Sequence, residues 1–397
     1  MGNVPNLRFP EFSGEWSSQP LTDFMNFKNG LNPDAKRFGR GTKFISVMDI
    51  LNNQYICYDN IRASVELQDG DIETYGVDYG DILFQRSSET LEDVGRANVY
   101  LDSKPAIFGG FVIRGKSKGN YNPLFFRYLL ASPTARKRII VKGAGAQHFN
   151  IGQDGLSKVS LDIPRLSEQE KIGKLLQCVD ARIATQNKII EKLQSLIKGL
   201  SQQLLSSKND WILYRLDNLA QIKSGYSGTQ VSYRTPYKVS RIETISKHCI
   251  DMQRIGYVEN IPENYKLNVG DIIFSNINSI QYIGNTAYID KDYGLYHGMN
   301  LLRIIPNTTI VRPRFLHLLL CTDWAINYFQ TICNKAVSQA SINQTELGKS
   351  RFPIPPIPVQ QQICSMFELT ERKLDNEQEY ISCLQQQKRY LLQEMFI

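Results

Sequence analysis

The feature that most constrains this chain is a long heptad pattern that occurs twice. Between residues 167 and 205, side chains recur in steps of four and three, which is the spacing of a coiled-coil seam. The same steps recur 191 positions later, at the C-terminal end. The apolar seam positions are Ile172, Leu176, Val179, Ile183, Ile190 and Leu193 in the first segment, and Ile363, Phe367, Leu374, Ile381 and Leu384 in the second.

Each segment also carries a polar residue at the middle of its seam, Gln186 in the first and Glu377 in the second. From Ile172 to Leu204 a helix rises roughly 50 Å, at about 1.5 Å per residue. A helix of this length cannot bury its own apolar stripe, so the pattern predicts that the two helices pack on each other. Two unrelated core helices are the alternative, and the shared register and shared polar interruption argue against them.

The duplication extends beyond the helices. Trp16 matches Trp211, and the segment 80–84 (Gly-Asp-Ile-Leu-Phe) matches 270–274 (Gly-Asp-Ile-Ile-Phe). An Ile-Pro pair precedes each long helix, with prolines at 164 and 355. The chain is therefore predicted to alternate globular units with long helices, with boundaries at 1–164, 165–207, 208–356 and 357–397.

Inside each unit the short patterns are mostly those of strands. Apolar runs at 43–48, 81–84, 271–274 and 301–305 are bounded by Gly, Asn, Asp or Pro. One helix is predicted after each of two matching prolines, Pro123 and Pro313, because proline suits the first turn. The predicted fold class is therefore α+β, with two mixed units in tandem and two long helices.

Composition restricts the class of protein. The 397 residues carry a net charge of +7, which fits a nucleic-acid partner without demonstrating one. The seven cysteines form no CxxC pair, which favours reduced thiols over a disulfide framework. The start of the chain lacks a signal pattern, and no apolar run reaches about 18 residues. We therefore expect a cytoplasmic protein.

No motif predicts catalysis. The segment 110–117 satisfies the phosphate-loop pattern GxxxxGK[ST], but it is itself a strand candidate and its counterpart in the second unit lacks the glycine and lysine. Glu371-Arg372-Lys373 matches the tail of a nuclease motif, but it lies on the exposed face of a predicted helix. The four histidines lack metal-ligand spacing. We expect a non-catalytic binding and assembly protein with no metal and no cofactor of its own.

The order of these motifs resembles one family. Two divergent units alternate with two similar helices, and each unit has an early Trp, a Lys-x-Gly turn, a Gly-Asp-Ile strand, a proline-led helix and an Ile-Pro…Gln-x-x-Ile entry into its helix. The whole chain is similar to the DNA-specificity subunit of type I restriction–modification systems.

The resemblance implies that each unit is a target-recognition domain that reads one half of a split double-stranded DNA site. The helices would form an antiparallel coiled coil that sets the spacer and docks two methyltransferase subunits. Those subunits would bring S-adenosylmethionine, and restriction/translocase subunits would bring ATP and Mg. None of these activities would belong to this chain.

Candidate DNA-binding residues are polar positions on loops where the two copies diverge, since Arg, Lys, Asn and Gln make most contacts to DNA. In the first unit they are Lys28, Asn29, Arg86, Ser87, Ser88, Lys142, Gln147 and His148. In the second unit they are Lys223, Ser224, Tyr226, Ser227, Asn276, Asn278, His297, Asn300, Gln339 and Ser341. Two alternatives remain open from sequence: a coiled-coil scaffold that binds only protein, and a self-sufficient enzyme with an unrecognised site.

Overall fold

The structure is a computed structural model that describes residues 2–145, 148–206, 210–246, 248–335 and 339–397. It divides into two compact units. Unit one comprises Met1–Lys188 with Gln378–Ile397, and unit two comprises Ile189–Glu377. Each unit therefore contains part of both long helices. In the described part of the chain, no helix is long and apolar enough to cross a membrane.

The described residues of unit one form twelve strands and the start of the first long helix. The strands are β1 (Ser17–Pro20), β2 (Met25–Asn29), β3 (Phe38–Ile45), β4 (Ala63–Val65), β5 (Gly76–Val77), β6 (Ile82–Gln85), β7 (Ser87–Ser88), β8 (Ala97–Val99), β9 (Ala106–Phe108), β10 (Val112–Ser117), β11 (Phe149–Asn150) and β12 (Ser160–Ile163). The helices are α1 (Val47–Asn52), α2 (Asp71–Tyr75), α3 (Pro123–Ala131), α4 (Pro133–Ile140), α5 (Gln153–Ser157) and α6 (Leu166–Leu204).

Unit two repeats this plan. Its strands are β13 (Ile212–Arg215), β14 (Ala220–Ser224), β15 (Tyr237–Val239), β16 (Ile245–Ser246), β17 (Cys249–Ile250), β18 (Gly256–Val258), β19 (Ile272–Ser275), β20 (Ile277–Asn278), β21 (Thr286–Tyr288), β22 (Leu295–Tyr296), β23 (Leu301–Pro306), β24 (Asn334–Lys335), β25 (Ala340–Ser341) and β26 (Arg351–Ile354). Its helices are α7 (Leu216–Leu219), α8 (Pro313–Leu320), α9 (Asp323–Ile332), α10 (Gln344–Lys349) and α11 (Ile357–Glu394).

A four-stranded antiparallel sheet is the centre of each unit. Its order is β2-β10-β6-β8 in unit one and β14-β23-β19-β21 in unit two. All four residues of β6 are buried, because Ile82 and Phe84 belong to the core beneath α3 while Leu83 faces a second core beside β9. Burial on both faces explains why the repeated Gly-Asp-Ile segments are continuously apolar and do not alternate. The predicted tandem fold class is confirmed.

Two local expectations need correction. The apolar run 43–48 is strand only to Ile45, because Ser46 and Asp49 form a capping box that starts α1 at Val47. The Lys-x-Gly segments are not turns: Lys28 and Lys223 lie in strands β2 and β14. The two proline-led helices are present as α3 and α8.

The long helices pack in antiparallel fashion within each unit. In unit one, Ile172 and Leu176 near the start of α6 share a core with Leu391 near the end of α11. Asp180 and Lys388 form an ion pair there, at 2.6 Å. In unit two, Leu200 near the end of α6 packs against the core that contains Ile363 and Phe367, near the start of α11. All eleven predicted seam residues are buried or half-buried: 172, 176, 179, 183, 190, 193, 363, 367, 374, 381 and 384.

A buried glutamine anchors the start of each long helix. Gln169 Oε1 accepts from Asn122 N at 2.9 Å, and its Nε2 donates to Pro164 O at 3.0 Å. In unit two, Gln360 Oε1 accepts from Arg312 N at 2.7 Å, and its Nε2 donates to Pro355 O at 2.8 Å. Each amide therefore ties the residue before the proline-led helix to the proline that leads into the coil. This geometry gives the Ile-Pro…Gln-x-x-Ile motif a physical reason.

The seam can be tested with one substitution and a matched control. Leu384 is 4% exposed, so Leu384→Ala should lower the free energy of unfolding by roughly 2–5 kcal/mol. Leu369 lies in the same helix but is 64% exposed, so Leu369→Ala should change it by less than about 0.5 kcal/mol. Denaturant unfolding of the two variants measures the difference. Equal effects would show that the seam does not contribute to stability.

Candidate nucleic-acid interface

One end of the central sheet in unit one gathers polar candidates from separate parts of the sequence. Strand β2 ends at Asn29, opposite Ile113 of β10, and β6 ends at Gln85, opposite Val112. Lys28, Asn29 and Arg86 therefore reach the same end of the sheet. Lys28 and Asn29 are exposed, and the Lys28 ammonium lies 5.5 Å from the centre of the Tyr75 ring. Register alone brings these residues together.

Unit two has the same register. Ser224 lies opposite Leu302, and Ser275 lies opposite Leu301, so Ser224 and Asn276 meet at the corresponding end. Lys223, Ser224 and Ser227 are exposed, while Tyr226 is half-buried and packs on Tyr265 with ring centroids 5.4 Å apart. This end of each central sheet is called the sheet tip below.

A glycine at each sheet tip allows two backbone segments to touch. A Cβ on Gly30 would overlap the carbonyl oxygen of Gly109, and one on Gly225 would overlap that of Gly298. Isolated bridges form at the same places, Leu31 with Gly109 and Tyr226 with Gly298. The glycines are therefore required by close backbone approach, and they hold the start of β10 or β23 beside the preceding loop.

Ser87 and Ser88 lie beside the loop that contains other candidates. β7 pairs with β11, Ser87 Oγ donates to Asn150 Oδ1 at 2.5 Å, and Arg86 O accepts from Ile151 N at 2.9 Å. Two exposed candidates flank this short pairing, namely Lys142 and His148, and Gln147 lies outside the described residues. The loop and the sheet tip are thus held together.

Unit two builds the corresponding corner with its own residues. Asn276 O accepts from Ile342 N at 2.9 Å, and Asn276 Nδ2 donates to Ile342 O at 3.2 Å. Asn278 pairs with Ala340, and its Nδ2 donates to Ser275 Oγ at 3.2 Å. Both amides therefore already bond within the unit. Gln339 is exposed nearby, and Ser341 is half-buried and pairs with Ile277.

A further glutamine fastens the sheet tip in each unit. Gln344 Nε2 donates to Ile222 O at 2.8 Å in unit two. With its amide oriented to satisfy both groups, Gln153 makes the corresponding bond to Phe27 O at 2.9 Å and accepts from Asn29 Nδ2 at 3.1 Å. Helices α5 and α10 therefore support the strands that carry Lys28 and Lys223.

His297 does not fit the prediction of a loop residue that contacts DNA. Its side chain is 1% exposed, and Nε2 donates to Leu301 O at 3.0 Å. Burial lowers its pKa to about 4, so the imidazole is neutral at physiological pH. The bridges at Gly109 and Gly298 place Phe108 at the equivalent position in unit one, where it is fully buried. His297 therefore takes the place of a core aromatic residue.

The same register pairs the candidate Asn300 with an exposed residue of unit one that the sequence analysis did not predict. Two residues after each bridging glycine stand Phe111 in unit one and Asn300 in unit two. Phe111 is 69% exposed. Asn300 is exposed and has a φ of 62°, in the left-handed region that Asn tolerates better than most residues. Phe111 escaped notice because it lies within the chance phosphate-loop match, in a run that predicts a buried strand.

A buried aspartate and a buried arginine support each central sheet from inside, and in unit two they form an ion pair. Arg303 Nη2 lies 2.6 Å from Asp271 Oδ2, and burial raises the pKa of that carboxyl group. In unit one, the carboxylate of Asp81 accepts from Asp78 N at 3.0 Å and from Ser117 N at 2.8 Å. Arg114, the counterpart of Arg303, donates to Gly76 O. The aspartate of the repeated Gly-Asp-Ile motif is therefore a scaffold residue.

Among the residues that the structure describes, no three His, Cys, Asp or Glu side chains are grouped to hold a metal ion.

Comparison with known proteins decides the family. The model of the type I restriction modification DNA specificity domain matches residues 13–195 and again residues 208–386. This chain belongs to that family. The two matches coincide with the duplication and include most of both long helices, so each copy comprises a recognition domain followed by its helix.

Individual relatives agree with this assignment. The type I restriction enzyme MjaX specificity subunit of Methanocaldococcus jannaschii, so named provisionally, is 37% identical over 47% of this chain and 45% of its own length. The chain thus spans about half of that relative. The MjaVIII specificity subunit of the same organism is 23% identical over 89% of this chain and 85% of its own. The S subunit of a type I system from M. genitalium has the same fold, with a TM-score of 0.59 over 99% of both chains at 14% identity.

The close backbone approach at the sheet tip gives a stability prediction. Gly30→Ala or Gly225→Ala should lower the free energy of unfolding by about 1–3 kcal/mol, because the added methyl group overlaps a carbonyl oxygen. Gly199 is the control: it lies in α6 with open space around its Cα, so Gly199→Ala should raise stability by up to about 1 kcal/mol. Thermal unfolding of the Gly30→Ala, Gly225→Ala and Gly199→Ala variants measures these changes in stability. A neutral Gly30→Ala variant would contradict the close approach.

Proposed function

We propose that this chain recognises DNA for a type I restriction–modification complex, and that each unit reads one half of an asymmetric, bipartite site. The observation that carries the proposal is the sheet tip, where corresponding strands and close glycine contacts present different side chains in the two units. Arg86 in unit one corresponds to Asn276, and Phe111 corresponds to Asn300. Two units that share one framework and differ in these side chains, half-buried at 86 and 276 and exposed at 111 and 300, suit two different half-sites.

The positive charge at the sheet tips supports a DNA partner. Lys28 and Lys223 are exposed at matching places, and Lys142 adds a charge on the neighbouring loop of unit one. Lysines at fixed places on a surface supply phosphate contacts, which position a protein on DNA without selecting sequence. Residues that differ between the units would then supply the sequence readout.

The long helices are proposed to dock two methyltransferase subunits. Outside the seam, they expose apolar side chains in the part of the chain that the structure describes, among them Leu196 at 50% and Leu369 at 64%. Two similar helices offer similar surfaces to two identical partners. Those partners would supply S-adenosylmethionine and the methyl transfer, and restriction/translocase subunits would supply the ATP- and Mg-dependent steps. This chain would itself perform no catalysis.

The modularity of recognition can be tested by exchanging one unit. Replacing Lys208–Ser350 by the corresponding segment of another family member should alter one half of the methylated DNA motif and leave the other half unchanged. The measurement is sequencing of methylated adenines in DNA exposed to the complex assembled with methyltransferase subunits. A change in both halves would contradict two independent readers.

A control for DNA binding itself is the gel shift of the full chain, alone and with methyltransferase subunits, on mixed-sequence duplexes. Binding that requires DNA of a particular sequence supports the proposal. If neither preparation binds DNA while the chain still binds methyltransferase subunits, the chain is a protein-only scaffold and the proposed function is wrong.

We also propose that the paired helices set the spacer between the half-sites. Inserting one heptad after Lys188 in α6 and one after Glu379 in α11 keeps the seams in register, because the antiparallel pairing of Asp180 with Lys388 places the two insertion points opposite each other. Seven residues add about 10 Å of helix, equivalent to about three base pairs, and rotate the chain by nearly whole turns. The methylated motif should keep its half-sites and gain about three base pairs of spacer.

The matched control is the same heptad in α6 alone, which mismatches the two seams and should reduce complex formation or stability. An unchanged spacer in the double insertion would show that the helices do not set the distance.

A further inference from the structure

Phe111 is an exposed aromatic residue in a place that folding does not explain. It is 69% exposed, and it directly precedes β10, whose first two residues are fully buried. Two more apolar side chains near it are exposed, Met48 at 56% and Phe38 at 45%. Burying a phenylalanine side chain is worth about 1.5–3 kcal/mol, which this residue forgoes. Exposed apolar patches of this kind mark interaction sites.

The three side chains border one cleft of about 430 Å³ in unit one. Its floor is the Gly109-Gly110 backbone, with the Phe44 ring against Gly109 and the Asn32 amide against Gly110. A Cβ on Gly110 would overlap that amide, and one on Gly109 would overlap the Phe44 ring, so close packing requires glycine at both positions. The cleft and Phe111 therefore form a built surface.

This surface is continuous with the polar sheet tip. Arg86 N donates to Phe111 O at 2.9 Å, and Arg86 Nη1 donates to Gly110 O at 3.3 Å. The Arg86 guanidinium group thus lies against the backbone that leads into Phe111, and the exposed Lys28 lies near the end of β2, the strand paired with β10. An apolar group flanked by cations is complementary to DNA, where base edges in the groove are flanked by phosphates.

The apolar character of the Phe111 ring restricts which part of a DNA base it can contact. A phenylalanine has no hydrogen-bond donor or acceptor, so it cannot read the polar edge of a base. Thymine presents a C5-methyl group in the major groove, and apolar contact with that methyl is a recognised form of direct readout. Asn300, the equivalent residue of unit two, carries the amide that pairs with adenine. One position would thus read a different base in each unit.

We propose that Phe111 is a specificity-determining residue of unit one, and that its ring contacts the C5-methyl group of a thymine in the half-site which that unit reads. The inference rests on the proposed function, because it assumes that the sheet tip faces DNA. Beyond the proposed function, it names the residue, the base and the methyl group that are in contact.

The test removes the methyl group and the ring in turn. The full chain, assembled with methyltransferase subunits, is titrated against a duplex carrying the methylated motif. Each thymine of the half-site assigned to unit one is then replaced by deoxyuridine, which lacks only the methyl group. With the unaltered chain, one replacement should weaken binding by about fourfold. With Phe111→Ala, binding to the thymine duplex should weaken, and the same replacement should cause no further loss.

Tyr79→Ala is the matched control. Tyr79 is an equally exposed aromatic residue of unit one, at 62%, and it precedes the opposite end of β6. This variant should retain both the affinity and the thymine effect of the unaltered chain. Because both side chains are exposed, each variant should fold, and thermal unfolding checks this.

The outcomes separate the two proposals. If no thymine replacement affects binding, or if Phe111→Ala retains the full thymine effect, the inference is overturned while sequence-specific binding stands. If the unaltered complex shows no preference for any sequence, the proposed function fails first. A Phe111→Asn variant that changes the preferred base at one position of one half-site would support the inference further.

Discussion

The structure depends on an apolar stripe that neither long helix can bury alone. Because the helices pack in antiparallel fashion, residues at the end of α11 complete the core of unit one, and residues at the end of α6 complete the core of unit two. In unit one, the Phe396 ring lies 6.4 Å from that of Trp16 and 5.6 Å from that of Phe125. In unit two, Leu205, just after α6, belongs to the core that contains Trp211 and Phe315. The pairing of the long helices and the folding of each unit therefore depend on burial of the same apolar side chains.

Buried polar groups turn this non-directional packing into a defined geometry. Hydrophobic burial alone tolerates small shifts between a helix and the domain beneath it, whereas a buried amide must satisfy both its donor and its acceptor. Gln169 and Gln360 meet that requirement at only one axial position of their helices. A shift of one turn would leave the amide and the backbone groups unpaired. The strands and loops of each unit are thus held at a fixed place relative to the start of its own long helix.

The sequence predicted the parts of the molecule that follow from periodicity and duplication. These parts are the two long helices, the tandem units and the proline-led helices. Each was predicted from a pattern that occurs twice in the chain, so the second occurrence supports the first. The sheet tip was harder to predict, since it depends on strand register. His297 looked like a loop residue, and only its alignment with Phe108 shows that it belongs to the core. Phe111 is the opposite case: an apolar residue beside a buried strand is normally buried, so the sequence did not predict that its side chain is exposed.

The separation between scaffold and readout explains how such a protein can change its target without losing its fold. The residues that hold the sheet tip, such as Gly30, Gly225 and Gln344, are packed against backbone or bonded to it. Phe111 and Asn300 contribute little to that scaffold, because they are exposed. Substitutions at exposed positions typically alter stability by no more than about 0.5 kcal/mol, whereas a single base contact can alter discrimination by about 1–3 kcal/mol. Selection on DNA sequence can therefore act at Phe111 almost independently of selection on folding, whereas the left-handed backbone at Asn300 restricts which residues can replace it.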